Sequence, residues 1–283
     1  REAVLDNLRH ETTRAAIIAA IVDKTTGFTW SRNQYISVSA EAFRILRAIY
    51  DAMLRESQDV LSSVTSLRAL EEGIMQVLNN HHDRLRLFFA ALCASTAGAS
   101  FPTEALLRRV PCEEYSPEAQ LSILGLDEHD LAEPILDIGC GSKGRLVQWL
   151  RARGLDATGV DRSVPSGPGF INADWHDAPL DPGTWGTVVA HQSLSLHFLF
   201  HHNNGTTVST RLASLYMRIL ASLKPGGRFC YAPSIPEFES TLAQRPDIQL
   251  RYIDLNLSDS DSTLGNVART VHVFSAASAD APR

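Results

Sequence analysis

The segment Ile135 to Gly144, ILDIGCGSKG, restricts the fold of this chain more than any other stretch. An apolar run ends in glycines at 139, 141 and 144, and apolar residues then recur at helical spacing at Leu146, Val147 and Leu150. That order calls for a strand, a tight turn and an amphipathic helix in succession. Glycine tolerates the backbone angles of such a turn and lets the main chain approach a ligand closely. The free amides of the following helix favour negative charge.

Short apolar runs separated by helical patterns continue the theme: Pro134 to Ile138, Ala157 to Val160, Thr187 to His191, Arg228 to Ala232, Leu250 to Asp254 and Val271 to Ser275. Their alternation predicts an α/β fold, a mainly parallel sheet with helices on both faces. From about Val4 to Ala97 strand signals are scarce. Phe43, Leu46, Tyr50, Met53 and Leu54 recur at three- and four-residue steps, then Leu61, Val64, Leu67, Ile74 and Leu78, with Gly73 as a weak point and Leu85 to Leu92 as a further helix. A loop with Gly98, Pro102 and Pro111 follows, and Ser116-Pro117-Glu118 starts a helix because Ser caps free amides and Pro fits the first helical position. The expected organisation is an all-helical N-terminal domain over 1–115, an α/β domain over 116–275 and a frayed tail over 276–283.

Gly139, Gly141 and Gly144 satisfy GxGxxG, which also announces dinucleotide sites. Asp137 separates the two readings. It stands two residues before the first glycine, where its charge would repel a pyrophosphate and stabilise a cation. S-adenosylmethionine carries a sulfonium and an ammonium and no phosphate, so it suits this turn better than a nicotinamide dinucleotide.

ILDIGCGSKG resembles the first motif of class I S-adenosylmethionine-dependent methyltransferases, and the resemblance extends from Glu133 to about Ser275. It implies a Rossmann-like domain that binds S-adenosylmethionine. Asp161, in ATGVDRS with Arg162 beside it, lies where the family places an acid on the ribose hydroxyls. Asp174 and Trp175, in INADWHDAPL, match an acid on the adenine amino group and a neighbour against the ring, and LKPGGRFCYA resembles the turn into the fifth strand. Cofactor contacts are thereby implied for Asp137, Gly139, Cys140, Gly141, Ser142, Lys143, Asp161, Arg162, Asp174 and Trp175, and for His191, Gln192 and Ser193 at the end of the fourth strand. The sequence departs from the family where both Ser142 and Lys143 precede the third glycine. Lys143 then either reaches the methionine carboxylate or faces solvent.

The segment AHQSLSLHFLFHHNNG releases His191, Gln192 and Ser193 at a C-terminal strand edge, where open α/β sheets bind ligands. In a helix, His197 and His201 share a face four residues apart. A metal is not expected, because neither a HExxH glutamate nor a distant Cys/His pair accompanies them. Acid/base work suits them better: His191, His197 and His201 are the catalytic candidates, with Glu237 in APSIPEFE as a fourth. Each histidine also has a plain reading as a hydrogen-bonded structural residue. Cys140 suits a crowded turn by its size. Trp30 and Tyr35 fall in a break between early helices, and His81 and His82 read as a solvated helix end.

A net charge of -6 leaves no global positive field, which disfavours nucleic acid and points to a small-molecule or peptide-like substrate. Four scattered cysteines without CxxC spacing argue for free thiols in a reducing compartment, hence a cytoplasmic protein. Ala15 to Val22 is too short to span a bilayer, so no membrane association is expected. The leading expectation is a methyltransferase of specialised metabolism whose helical domain covers the pocket and offers a surface for homo- or hetero-oligomers. Two alternatives stand beside it: a methyltransferase-like fold that performs elimination, cyclisation or rearrangement, and a non-catalytic scaffold subunit.

Overall fold

The structure, a computed structural model, describes residues 2–97, 115–254 and 269–276. The expected loop through Gly98, Pro102 and Pro111, Cys112, and the tail beyond Ala276 lie outside the described residues. The chain divides into two compact units, Arg1–Cys112 and Glu113–Arg283.

The first unit holds α1 (Glu2–Arg9), α2 (Glu11–Arg32), α3 (Ala40–Ser63) and α4 (Leu67–Ala97). Ser39 caps α3 by accepting from the Ala42 amide. Ile18 and Val22 of α2, Leu46, Ile49 and Tyr50 of α3, and Phe88 and Leu92 of α4 form one core. No break occurs at Gly73, and Leu85 to Leu92 is not a separate helix: α4 runs through 31 residues. Gly73 serves packing instead, since a Cβ there would stand 2.7 Å from Cγ1 of Val60 on α3. His81 and His82 accordingly lie inside α4. The His81 ring meets Tyr50 at 5.0 Å between centroids, and burial is the largest cause lowering its pKa. Trp30 belongs to the last turn of α2, and Tyr35 alone of that pair falls in the connection to α3. No helix among the described residues is long and apolar enough to cross a membrane.

The second unit opens with α5 (Pro117–Leu124). Ser116 accepts from the Ala119 amide, Pro117 occupies the first turn, and Gly125 ends the helix at φ 58°. The chain continues as β1 (Ile135–Ile138), α6 (Arg145–Ala152), β2 (Ala157–Asp161), β3 (Phe170–Asn172), β4 (Trp185–His191), α7 (Leu194–Asn203), α8 (Val208–Ser222), β5 (Leu223–Ala232), α9 (Pro236–Leu242), β6 (Ile248–Asp254) and β7 (Arg269–Ser275). The sheet order is β3-β2-β1-β4-β5-β7-β6. β1 to β5 are parallel, and β7 runs antiparallel between β5 and β6. This is a doubly wound, Rossmann-like α/β order with one antiparallel strand inserted near an edge.

Alternation along each strand sorts the core into two layers. Leu136, Ile138, Val188, Ala190, Phe229 and Tyr231 pack with α7 and α8, while Ile135, Val189, Cys230 and Ala232 pack with α5 and α6. Ile135, Leu136 and Ile138 are at most 1% exposed, so each contributes about 1.5–3 kcal/mol of apolar burial. β7 also finishes α5: Thr270 donates its hydroxyl to the Ile123 carbonyl, and His272 Nε2 bonds the Leu124 carbonyl at 2.6 Å. Those carbonyls have no partner within the helix.

Candidate ligand site at the strand switch point

β1 lies between β2 and β4. From it the chain winds outward through β2 and β3 on one side and through β4 and β5 on the other. The loops after β1 and β4 therefore leave the sheet side by side at its switch point, where doubly wound sheets open a crevice for ligands.

On the β1 side, Gly139, Gly141 and Gly144 have φ of 81°, 75° and 55°. A side chain in that left-handed region costs about 1–2 kcal/mol per residue. Space is also short: a Cβ at Gly139 would stand 2.4 Å from Ser193 Cβ, and one at Gly144 2.2 Å from Phe170 Cε1. Ser142 and Lys143 are exposed, and Cys140 is buried with its Sγ where a Cβ on Gly159 would come within 2.7 Å. Asp161 ties the end of β2 to this loop. Its Oδ2 accepts from the Gly141 amide at 3.2 Å and its Oδ1 from the Ser163 amide at 2.8 Å, which leaves lone pairs on both oxygens. Asp137 is 2% exposed inside β1, in register with Gly159 and Val189.

After β3, Asp174 caps a single 3-10 turn, Trp175–Asp177. Its Oδ1 accepts from the His176 amide at 2.9 Å and bonds the His176 Nδ1 at 2.6 Å. The His176 side chain is the largest cause that lowers the Asp174 pKa to about 2. Trp175 wedges between the glycine loop and α7. Its Cζ2 would lie 3.1 Å from a Cβ on Gly139, and its ring meets His197 edge-on with centroids 4.8 Å apart.

On the β4 side the same backbone demand falls on a residue other than glycine, because Gln192 has φ 52°. Its amide donates to the Ala232 carbonyl at 2.8 Å, and Ser193 Oγ donates to the Ile138 carbonyl at 2.6 Å. These two bonds hold the turn against β5 and β1. His191 is half-buried, and desolvation lowers its pKa to about 4. Its Nε2 is buried and makes no hydrogen bond among the described residues. Tyr115 packs edge-on against its ring at 5.0 Å.

His197 and His201 face the core from α7, at 8% and 1% exposure. Burial, then the charges of Arg162 and His201, holds His197 well below the usual imidazole range, and His201 Nδ1 pairs with Thr206 Oγ1 at 3.0 Å. Among the described residues, no three His, Cys, Asp or Glu side chains are placed to hold a metal ion.

The structure thus gathers the glycine loop, Asp161, Asp174, Trp175, His191, Gln192, Ser193 and His197 around one sheet edge. Glu237 is exposed on the first turn of α9. Two residues later, Glu239 turns inward: its Oε1 accepts from Tyr231 Oη at 3.0 Å and from the Ile235 amide at 2.6 Å, and burial raises its pKa. His176, Tyr115 and Glu239 were not singled out from sequence. The Asp-x-His spacing at 174–176 was the available signal for the first, whereas nothing local marks the other two. A separate cleft of about 300 Å³, lined by Met217, Leu220, Leu223, Ile248 and Val273, lies at the opposite edge, where β5 and β6 begin.

No family model matches the chain, and no curated protein matches it. Solved structures with similar coordinates include an S-adenosylmethionine-dependent methyltransferase from Mesorhizobium loti, at 14% identity and TM-score 0.35 over 50% of this chain and 90% of that one. An O-methyltransferase from Bacillus cereus in complex with SAH shows 14% identity and TM-score 0.37 over 58% of this chain and 84% of its own. The O-methyltransferase TomG from Streptomyces achromogenes, involved in tomaymycin synthesis and solved with SAM, shows 16% identity and TM-score 0.37 over 59% and 83%.

Proposed function

We propose that the Glu113–Arg283 unit binds S-adenosylmethionine at the β1/β4 edge and transfers its methyl group to a small-molecule or peptide-like acceptor. One observation carries this reading. The glycine turn, set at positive φ, follows Asp137 in β1 and is bonded by the Asp161 carboxylate, while Trp175, next to an Asp174 whose pKa is lowered to about 2, reaches Gly139. Such carboxylates repel a pyrophosphate and complement a ligand with cationic centres and with hydroxyl and amino donors. Asp161 keeps lone pairs for two hydroxyls, and Asp174 Oδ2 makes no hydrogen bond among the described residues, so the acceptor set fits those donors.

When bound, S-adenosylmethionine supplies a methyl group already activated on a sulfonium. The chain then has to orient the acceptor, exclude water and receive a proton. His191 is the group placed for the proton. With its pKa lowered to about 4 it is neutral at neutral pH, and its buried Nε2 carries no hydrogen bond among the described residues. A weak base of this kind suits a hydroxyl acceptor, whose proton becomes strongly acidic as the oxygen takes up the methyl. His197 backs Trp175 from inside the fold. The net charge of -6 favours small acceptors over nucleic acid, and the buried thiols of Cys93, Cys140 and Cys230 suit a reducing cytoplasm.

Isothermal titration with S-adenosylmethionine and its demethylated product tests the reading. Binding in the micromolar range that is lost in Asp161→Ala is expected, and folded protein that binds neither compound overturns it.

A further inference from the structure

We infer that His176 is a positioning residue for ligand recognition: it locks the Asp174 carboxylate so that Oδ2 accepts the exocyclic amino group of an adenine. The inference rests on the cofactor proposed above and concerns a residue that reading does not use.

The dyad is over-determined. Asp174 Oδ1 takes both the His176 amide, at 2.9 Å, and the His176 ring Nδ1, at 2.6 Å. Arg218, from α8, donates its Nη1 to the His176 carbonyl at 2.7 Å, so a helix across the layer fixes the backbone of the same residue. The geometry also selects the tautomer. A proton on Nδ1 points at the carboxylate, whereas the other tautomer would turn a lone pair toward it and leave a donor at Nε2, which is buried and has no hydrogen-bond partner among the described residues. With Oδ1 held by two donors, the carboxyl plane cannot rotate freely, and Oδ2 keeps one direction.

That direction is available to a ligand. The Asp174 side chain is 55% exposed, against 23% for His176, so the anchored half of the pair is inside and the accepting half outside. Trp175 stands between the two in sequence, and its ring reaches Gly139 of the glycine loop. A fixed carboxylate oxygen accepts from an amino group and repels a carbonyl oxygen at the same position. Pre-organisation removes the ordering cost that would blunt this discrimination.

Titration of wild type, His176→Ala and His176→Asn with S-adenosylhomocysteine and with its 6-oxo analogue, S-inosylhomocysteine, tests the assignment. In His176→Ala, affinity for the adenine compound is expected to fall about tenfold, which corresponds to ~1.4 kcal/mol, while affinity for the 6-oxo analogue stays within about twofold. His176→Asn, whose amide can donate in place of Nδ1–H, is expected to recover most of the loss. Equal loss for both compounds assigns His176 to turn construction alone and overturns the inference, as does unchanged binding of the adenine compound. Should His176→Ala fail to fold, His176→Asn read against wild type decides it: a fall of more than about threefold for the adenine compound overturns the inference. Wild type that binds neither compound overturns the cofactor reading itself, and the inference with it.

Discussion

The two sides of the switch point solve one backbone problem with different materials. After β1 the chain enters the left-handed region three times, each time on glycine; after β4 it does so once, on Gln192. The first side is main chain steadied by Asp161. The second is a strained residue held by the Gln192 amide on β5 and the Ser193 hydroxyl on β1. Strain of about 1–2 kcal/mol persists only where the surroundings over-determine it, and such residues gather at functional sites. A glycine turn gives a ligand an open surface, whereas a strained turn holds particular side chains, here His191 and Gln192, at the same edge.

The largest effect is expected at Gly139. Alanine there meets both an unfavourable φ of 81° and a Cβ only 2.4 Å from Ser193 Cβ, so Gly139→Ala should destabilise the fold by about 3 kcal/mol or more in urea unfolding. Gly226→Ala, at φ 77° with nothing within 4 Å, should lose only about 1 kcal/mol. Equal losses at the two positions would show that the contact between the β1 and β4 turns carries no weight.

Acid should act next, and on the β4 side. His191 titrates at about 4 when folded and at about 6.5 when unfolded, so the unfolded chain binds the proton first. The stability tied to its neutral form is complete above about 6.5 and is lost as pH falls through about 4, by up to ~3 kcal/mol. Melting temperatures against pH should fall less steeply in His191→Asn than in wild type, and identical slopes would remove His191 from the account.

The smallest effect has the opposite sign. Gln192→Gly relieves the left-handed strain, less glycine's entropy, and should raise stability by about 0.5 kcal/mol. A loss of stability would mean that the Gln192 side chain contributes packing that outweighs the strain, and the contrast between the two turns would narrow.

This contrast also explains what could be read in advance. The glycine loop, Ser116-Pro117 and six of the strands were legible because each is a local signal, a turn residue beside an apolar run of sufficient length. β3 was not, since Phe170–Asn172 is three residues long and follows a stretch rich in proline and glycine. Gly73 misled because a glycine that breaks a helix and one that admits a neighbouring Val60 look alike without the neighbour. Gln192 carries no mark of its φ, and the inward turn of Glu239 rather than Glu237 depends on Tyr231 across the layer. The Asp174–His176 pair was in view as letters, but its hydrogen bond exists only once the 3-10 turn brings the ring back onto the cap.

The bonds from Thr270 and His272 to the end of α5 carry a consequence in time. The partners are 147 and 148 residues apart in the chain. At a synthesis rate of about 5–20 residues per second, the carbonyls of Ile123 and Leu124 are made roughly 7 to 30 s before the side chains that satisfy them. Until the last strand emerges, the helix beginning beside Tyr115 has a ragged end and the sheet lacks the strand between β5 and β6. The five parallel strands, which end at Ala232, are therefore made before the strand that joins β6 to them.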